Sequence, residues 1–168
     1  MPSTEIGTIQ KNVCDEINAK PIKIIAPATH DTASAIAGMP VNKNSKSWAF
    51  LSMGTWFCMG KEINTPVINN KVFLSGFANE AGVENKNLLF KNINGLWIIQ
   101  QCMNIWNKEN KLSWDDIKTI TLKAQSFKYF IDPDNDLFIR SQNNMPQAIR
   151  DYCKQKDFQV PISIGEIT

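Results

Sequence analysis

What most constrains this chain is the stretch from residue 22 to residue 60, where two apolar segments flank a short helical one and each carries polar residues at a corner. Ile22-Lys23-Ile24-Ile25-Ala26 is rich in β-branched side chains and reads as a strand. It leads to His30 and Asp31 at a strand-to-helix corner. Thr32-Ala33-Ser34-Ala35-Ile36-Ala37 then reads as a helix of small residues, closed by Gly38 and Pro40. The positive end of that helix favours an ionised carboxylate at Asp31, where a general base belongs. Further on, Phe50-Leu51-Ser52-Met53-Gly54-Thr55-Trp56-Phe57 reads as two β-segments hinged at a glycine. Backbone N–H groups and the Thr55 hydroxyl at such a hinge can be turned towards an anion, as in phosphate cradles. A base and a phosphate cradle together point to phosphoryl transfer, provided that they face each other across a gap wide enough for an acceptor and a nucleotide.

The totals narrow the alternatives. At 168 residues and 43% apolar the chain is long and greasy enough for a sizeable core. Its net charge of +2 arises from interspersed charges, with no basic block to suggest nucleic acid. Cys14, Cys58, Cys102 and Cys153 lie far apart with no C-x-x-C pair, and there is a single histidine, so neither a zinc spacing nor a histidine metal site is indicated. The cysteines read as free thiols. The first residues form no signal peptide, and no apolar run approaches the roughly 20 residues that span a bilayer. The expectation is a soluble, cytoplasmic protein that binds neither nucleic acid nor membrane.

In chain order, Thr4 to Ile9 reads as a short strand or turn and Val13 to Ala19 as a short helix ended by Pro21. Trp48 to Leu51 and Trp56 to Met59 are nearly continuously apolar, so the hairpin that they form is expected to be buried on both faces. Val72 to Phe77 is a strand candidate running into a turn at Asn79-Glu80-Ala81-Gly82. The strongest helical pattern spans Asn92 to Asn107, with Leu96, Trp97, Ile99, Gln100, Met103 and Trp106 as its apolar stripe. Ser113 and Asp116 form a capping box for a helix to about Gln125. Tyr129 to Ile131 and Leu137 to Ile139 read as short strands around Asp132-Pro133-Asp134-Asn135-Asp136. That loop lacks the glycine and the final glutamate of a calcium loop, having Leu137 and Asn143 there, and reads as a solvated turn. Asn144 caps a helix to about Lys156, with Pro146 in its first turn. Ser163 and Glu166 form a second capping box close to Thr168; one helical turn is costly to nucleate alone, so the chain reads as cut there.

The residues Ala28-Thr29-His30-Asp31-Thr32-Ala33-Ser34-Ala35, Ser52-Met53-Gly54-Thr55-Trp56, Asn79-Glu80-Ala81-Gly82 and Lys91-Asn92-Ile93-Asn94-Gly95-Leu96-Trp97 through Gln100 resemble, in order and spacing, the rhamnulokinase branch of the FGGY carbohydrate kinases. The likeness continues more weakly through Phe130-Ile131-Asp132-Pro133 to Gly165-Glu166. The resemblance implies an α/β (mixed α+β) chain that is part of an actin-like, ribonuclease-H-like sugar kinase fold. Residues 1–38 would end its N-terminal domain, and residues 39–168 would form the first part of its C-terminal, nucleotide-binding domain. It implies Asp31 as the catalytic base, His30, Asp31, Thr32 and Asn92 as sugar-binding residues, and Gly54, Thr55 and Gln100 on the ATP side. It implies MgATP as the phosphoryl donor, with no metal ligand singled out among these residues, and transfer of the γ-phosphoryl group to the 1-hydroxyl of L-rhamnulose. Two departures stand out. Met53 takes the place of a common second serine, and Ala81 that of a usual glycine, where a positive φ would be strained.

The family's Asp-x-Gly phosphate loop, much of its sugar pocket and its glycine-rich adenosine motif have no counterpart in these residues, so the chain is expected to be a fragment, inactive in isolation. Plainer readings stand beside each site. His30-Asp31 also suits a surface turn or helix cap, Gly54-Thr55 an ordinary turn, Trp97 and Trp106 core packing, and Gln100 a satisfied buried amide. For the whole chain the alternatives are a non-catalytic binding or assembly module and a kinase for a related deoxy-ketose such as L-fuculose. Apolar strands at its edges would let copies associate into a homo-oligomer.

Overall fold

The computed structural model describes all residues except 1, 29, 43–46 and 109–110. Two compact units are distinguished, one comprising Met1–Ser52 and Cys58–Asn92, the other Met53–Phe57 and Ile93–Thr168. The architecture is mixed α/β with antiparallel strand pairs.

The first unit opens with β1 (Glu5–Thr8), α1 (Lys11–Glu16) and β2 (Lys23–Ile25). β1 and β2 form a two-stranded antiparallel sheet, irregular between Glu5 and Gly7 and exposed along its whole length. Helix α1 starts and stops earlier than Val13–Ala19, and the left-handed φ of 52° at Asn18 keeps it from reaching Ala19. Helix α2 (Asp31–Ala37) follows, then β3 (Phe50–Met53), β4 (Trp56–Ile63), α3 (Asn70–Leu74), β5 (Ala78–Ala81) and β6 (Asn87–Asn94).

Three expectations are corrected here. The segment around Val72 is helix α3, because the Asn69 side chain accepts from the Val72 N–H and caps a turn ahead of the apolar run. Asn79 to Ala81 is not a turn but strand β5, paired antiparallel with β6 so that Glu80 lies opposite Leu88. Ala81 accordingly has no positive φ, and the strain expected there is absent. The β3–β4 hairpin is not buried on both faces. Phe50, Cys58 and Gly60 are buried, while Leu51, Met53, Trp56 and Met59 are exposed. The reason lies in the sheet order β3-β4-β6-β5, which makes β3 an edge, and in the core of Ala28, Ala33, Ile36, Phe50, Cys58 and Leu88, which sets α2 against one sheet face. Gly60 is required by the closeness of β6: a Cβ there would run into the Leu89 carbonyl oxygen and the Phe90 Cβ.

The second unit contains α4 (Trp97–Trp106), α5 (Trp114–Thr121), α6 (Asp136–Ile139), α7 (Met145–Gln155) and α8 (Ile164–Ile167). Residues 92–94, expected to be helical, belong to β6, and the helix starts only after Gly95. This shifts the buried stripe to Ile98, Cys102, Met103 and Trp106, leaving Leu96 exposed. These side chains meet Ile117, Phe138, Met145, Ile149, Tyr152 and Ile167 in the core of this unit. The segments at Tyr129–Ile131 and Leu137–Ile139 are not strands. Asp132 accepts from the Asp134 N–H and Asn135 from the Leu137 N–H, and these local bonds turn the chain into α6.

Both capping boxes form reciprocally, Ser113 with Asp116 and Ser163 with Glu166. Helix α8 survives as one turn because it packs on α5 at Gly165, where a Cβ would lie 2.7 Å from the Ile120 carbonyl oxygen. The Glu166 carboxylate accepts from the Ser163 and Ile162 N–H groups, both at 2.9 Å, and from the Tyr129 hydroxyl at 2.6 Å. The Ser163 N–H, then the Tyr129 hydroxyl, pull its pKa from 4.5 down to about 2. A folded-state pKa below the unfolded one gives stability that is fully present above pH 4.5 and is lost as pH falls towards 2. Asp116, lowered by its bonds to Ser113, adds to the same acid limb. Thermal unfolding followed across that window should show Glu166→Gln with a shallower decline than the parent; identical slopes would contradict the assignment.

Candidate functional site

Of the residues singled out by sequence, His30, Asp31, Thr32 and Asn92 lie in the first unit, and Gly54, Thr55 and Gln100 in the second.

In the first unit, α2 begins at Asp31 with His30 as its N-cap. The capping atom is unusual: the His30 Nδ1 accepts from the Ala33 N–H at 3.3 Å, a task more often given to Ser, Thr, Asp or Asn. The other ring nitrogen, Nε2, lies 2.7 Å from Oε1 of Glu80 on β5. The Asp31 side chain is fully exposed, and its Oδ1 accepts from the Thr32 N–H at 2.7 Å. A pocket of about 480 Å³ opens here, lined by His30, Thr32, Cys58, Asn79, Glu80, Phe90 and Asn92. The fold thus gathers three of the four expected sugar-side residues around one hollow, with Asp31 between two of them in sequence. Sequence reading missed Glu80 and Asn79 as members of this constellation. Asn79 is anchored by a two-way bond to the Val67 backbone, Oδ1 taking the N–H and Nδ2 reaching the carbonyl, each at 2.9 Å. The signal that could have found Glu80 was the Asn79-Glu80-Ala81-Gly82 motif, which entered the family resemblance but was read as a turn without a site role. Burial first, then the neighbouring Glu80 charge, push the Cys58 thiol pKa up, so it stands as a neutral wall of the hollow.

In the second unit, the Gly54-Thr55 corner is fastened to the start of α4. The Gly54 carbonyl accepts from the Leu96 N–H at 3.1 Å and the Thr55 carbonyl from the Trp97 N–H at 3.0 Å. The N–H and C=O of a trans peptide point in opposite directions, and no cis peptide occurs among the described residues. The Thr55 and Trp56 N–H groups are therefore directed away from α4. Gln100 donates from Nε2 to the Thr55 Oγ1 at 3.4 Å. Receiving that bond, the exposed Thr55 hydroxyl keeps its own hydrogen to give to an anion. The corner thus suits phosphate oxygens. Gln100 lies on a helix and Asn92 on a strand, so the two do not share the single helix expected from Asn92 to Asn107.

Comparison with known proteins decides the family. Residues 49–165 match the C-terminal domain of the FGGY family of carbohydrate kinases. This chain belongs to that family. It is 37% identical over 166 residues to a rhamnulokinase of Bacteroides thetaiotaomicron, which covers 99% of this chain and 33% of the relative. Rhamnulokinases of Oceanobacillus iheyensis and Bacillus subtilis are 34% and 31% identical over 166 and 167 residues, again over 99% of this chain and 34% and 33% of theirs. The chain spans about a third of the length of these curated relatives. Among the described residues no helix is long and apolar enough to cross a membrane.

The run Asn92-Ile93-Asn94-Gly95-Leu96-Trp97, which resembles these FGGY kinases, now has a physical account. Asn92 lines the first unit's hollow. Asn94 is buried and donates to the Pro133 and Phe138 carbonyls at 2.9 and 3.2 Å, tying down the loop before α6. Gly95 lets the chain pass against the Gly54 carbonyl and the Phe57 ring, and Trp97 packs on the second core.

Proposed function

We propose that this chain is part of an ATP-dependent kinase that transfers the γ-phosphoryl group to the 1-hydroxyl of L-rhamnulose. The observation that carries this reading is the hollow where His30, Thr32 and Asn92 converge beside Asp31, within a chain of the FGGY family. The choice of L-rhamnulose rests on the name rhamnulokinase borne by the relatives. Residues 1–38 would close the kinase's first domain and residues 39–168 open its second, in keeping with a family match that begins at residue 49.

In this reading the Asp31 carboxylate accepts the proton of the sugar hydroxyl as it becomes a nucleophile. Its exposure leaves it open to an acceptor, and its bond to the Thr32 N–H fixes its direction. Asn92 and Thr32 hold the remaining hydroxyls of the ketose. The Thr55 hydroxyl, held by Gln100, and the Gly54-Thr55 peptide receive phosphate oxygens. ATP supplies the phosphoryl group, with Mg2+ neutralising its charge. Magnesium brought in with ATP would keep several water and phosphate-oxygen ligands, as is common for this ion.

The test is a chimaera in which this chain replaces the matching third of the Bacteroides thetaiotaomicron relative. Sequential assay with L-rhamnulose and L-fuculose should give ADP release that depends on L-rhamnulose, while the 168-residue chain alone gives none. A folded, nucleotide-binding chimaera with no ketose-dependent ADP release would overturn the reading. Equal release with both sugars would overturn the choice of substrate.

A further inference from the structure

Both ring nitrogens of His30 are engaged within the protein. Because Nδ1 accepts the Ala33 N–H, the ring proton of the neutral imidazole sits on Nε2, and it is donated to the Glu80 carboxylate at 2.7 Å. A bond to an ionised acceptor is roughly twice as strong as a neutral one. Glu80 itself is held on the sheet: its side chain is three-quarters buried, at 25% exposure, and its backbone pairs with Leu88, a residue of the first unit's core. His30 therefore links the helix that begins at Asp31 to a fixed point on β5. Among the described residues the Asp31 carboxylate accepts hydrogen bonds from the adjacent Thr32 backbone and hydroxyl alone, and the imidazole Nδ1 lies 3.8 Å from its Oδ1, beyond hydrogen-bonding distance.

We propose that Glu80 is a positioning residue, which orients His30 and through it the corner that presents Asp31. This rests on the kinase reading of Asp31, and it gives His30 the part of a strut in place of a sugar ligand. The Cys58 thiol, which lines the same hollow, has its pKa raised by burial and then by the Glu80 charge, and so stays neutral beside the pair. A carboxylate acting through a histidine need not itself touch the substrate, yet a misplacement of about 1 Å at a reacting group can cost roughly a hundredfold in rate.

The chain contains one histidine, so its imidazole nitrogen NMR spectrum reports His30 alone. In mildly alkaline buffer the 168-residue chain should show the Nε2–H tautomer. Glu80→Gln, whose amide oxygen can still accept from Nε2, should keep that tautomer, and Glu80→Ala should give a mixture of both. In the chimaera, Glu80→Ala should lower kcat about tenfold to a hundredfold with the KM for ATP unchanged, and Glu80→Gln should recover most of the loss. An Nδ1–H tautomer in the parent chain, or a tautomer indifferent to Glu80→Ala, would overturn the proposal. So would normal kcat in Glu80→Ala. A correct tautomer response in a parent chimaera without ketose-dependent turnover would instead overturn the kinase reading and leave the His30–Glu80 linkage standing.

Discussion

Asp31→Asn in the chimaera is expected to lower L-rhamnulose-dependent ADP release by about 10²- to 10⁴-fold, the range that a positioned general base contributes. The substitution is nearly isosteric, and the asparagine oxygen can still accept from the Thr32 N–H that Asp31 Oδ1 now takes. The side chain is fully exposed, so folding should be unaffected. What asparagine cannot do is take a proton. The decisive comparison is kcat against the midpoint of thermal unfolding: a large loss in the first with no shift in the second is the signature of the base. Turnover within a factor of two of the parent would remove Asp31 from the chemistry and leave it as the first residue of a helix.

Gly95→Ala should lower the stability of the second unit by roughly 1–3 kcal/mol and loosen the Thr55 corner. The added Cβ would overlap the Phe57 ring and lie 2.8 Å from the Gly54 carbonyl oxygen. That oxygen accepts the Leu96 N–H, and the next carbonyl, of Thr55, accepts the Trp97 N–H. One methyl group therefore pushes on both bonds that fasten the corner to α4 and, through them, on the Gln100 to Thr55 contact. Urea unfolding of the chain should show a lower midpoint, and the KM for ATP of the chimaera should rise. For unfolding, Gly54→Ala is the control, because among the described residues a Cβ there meets only the Trp56 carbonyl oxygen, at 3.4 Å. Should Gly95→Ala and Gly54→Ala unfold at the same urea concentration as the parent, close approach at residue 95 is not what that glycine provides.

The comparison of sequence and structure turns on how far each feature's cause reaches along the chain. The capping boxes at Ser113 and Ser163 were legible because donor and acceptor lie three residues apart. The helix after His30-Asp31 and the Asn144 cap were legible for the same reason. The helix at Asn70–Leu74 had an equally local signal, the Asn69 cap three residues before Val72, and was missed because its apolar run imitates a strand. Asn79 to Ala81 carries turn-forming residues and yet is a strand, because β6 supplies its hydrogen bonds. The apolar arms of the hairpin suggested burial on both sides, and the sheet order left one of them an edge.

By itself the sequence determined the mixed α/β character, the family through its ordered motifs, and the residues Asp31 and Thr55 as the ones to test, since each of these is written in local spacing. Tertiary structure alone decided that Glu80 meets His30 across 50 positions, that Asn92 stands on a strand beside them, and that Gly95 presses the start of α4 against the Gly54 carbonyl. Such pairs are chosen by which strands lie side by side and how closely their backbones approach. Neither distance is encoded in any window of the chain, because each depends on packing free energy summed over both partners.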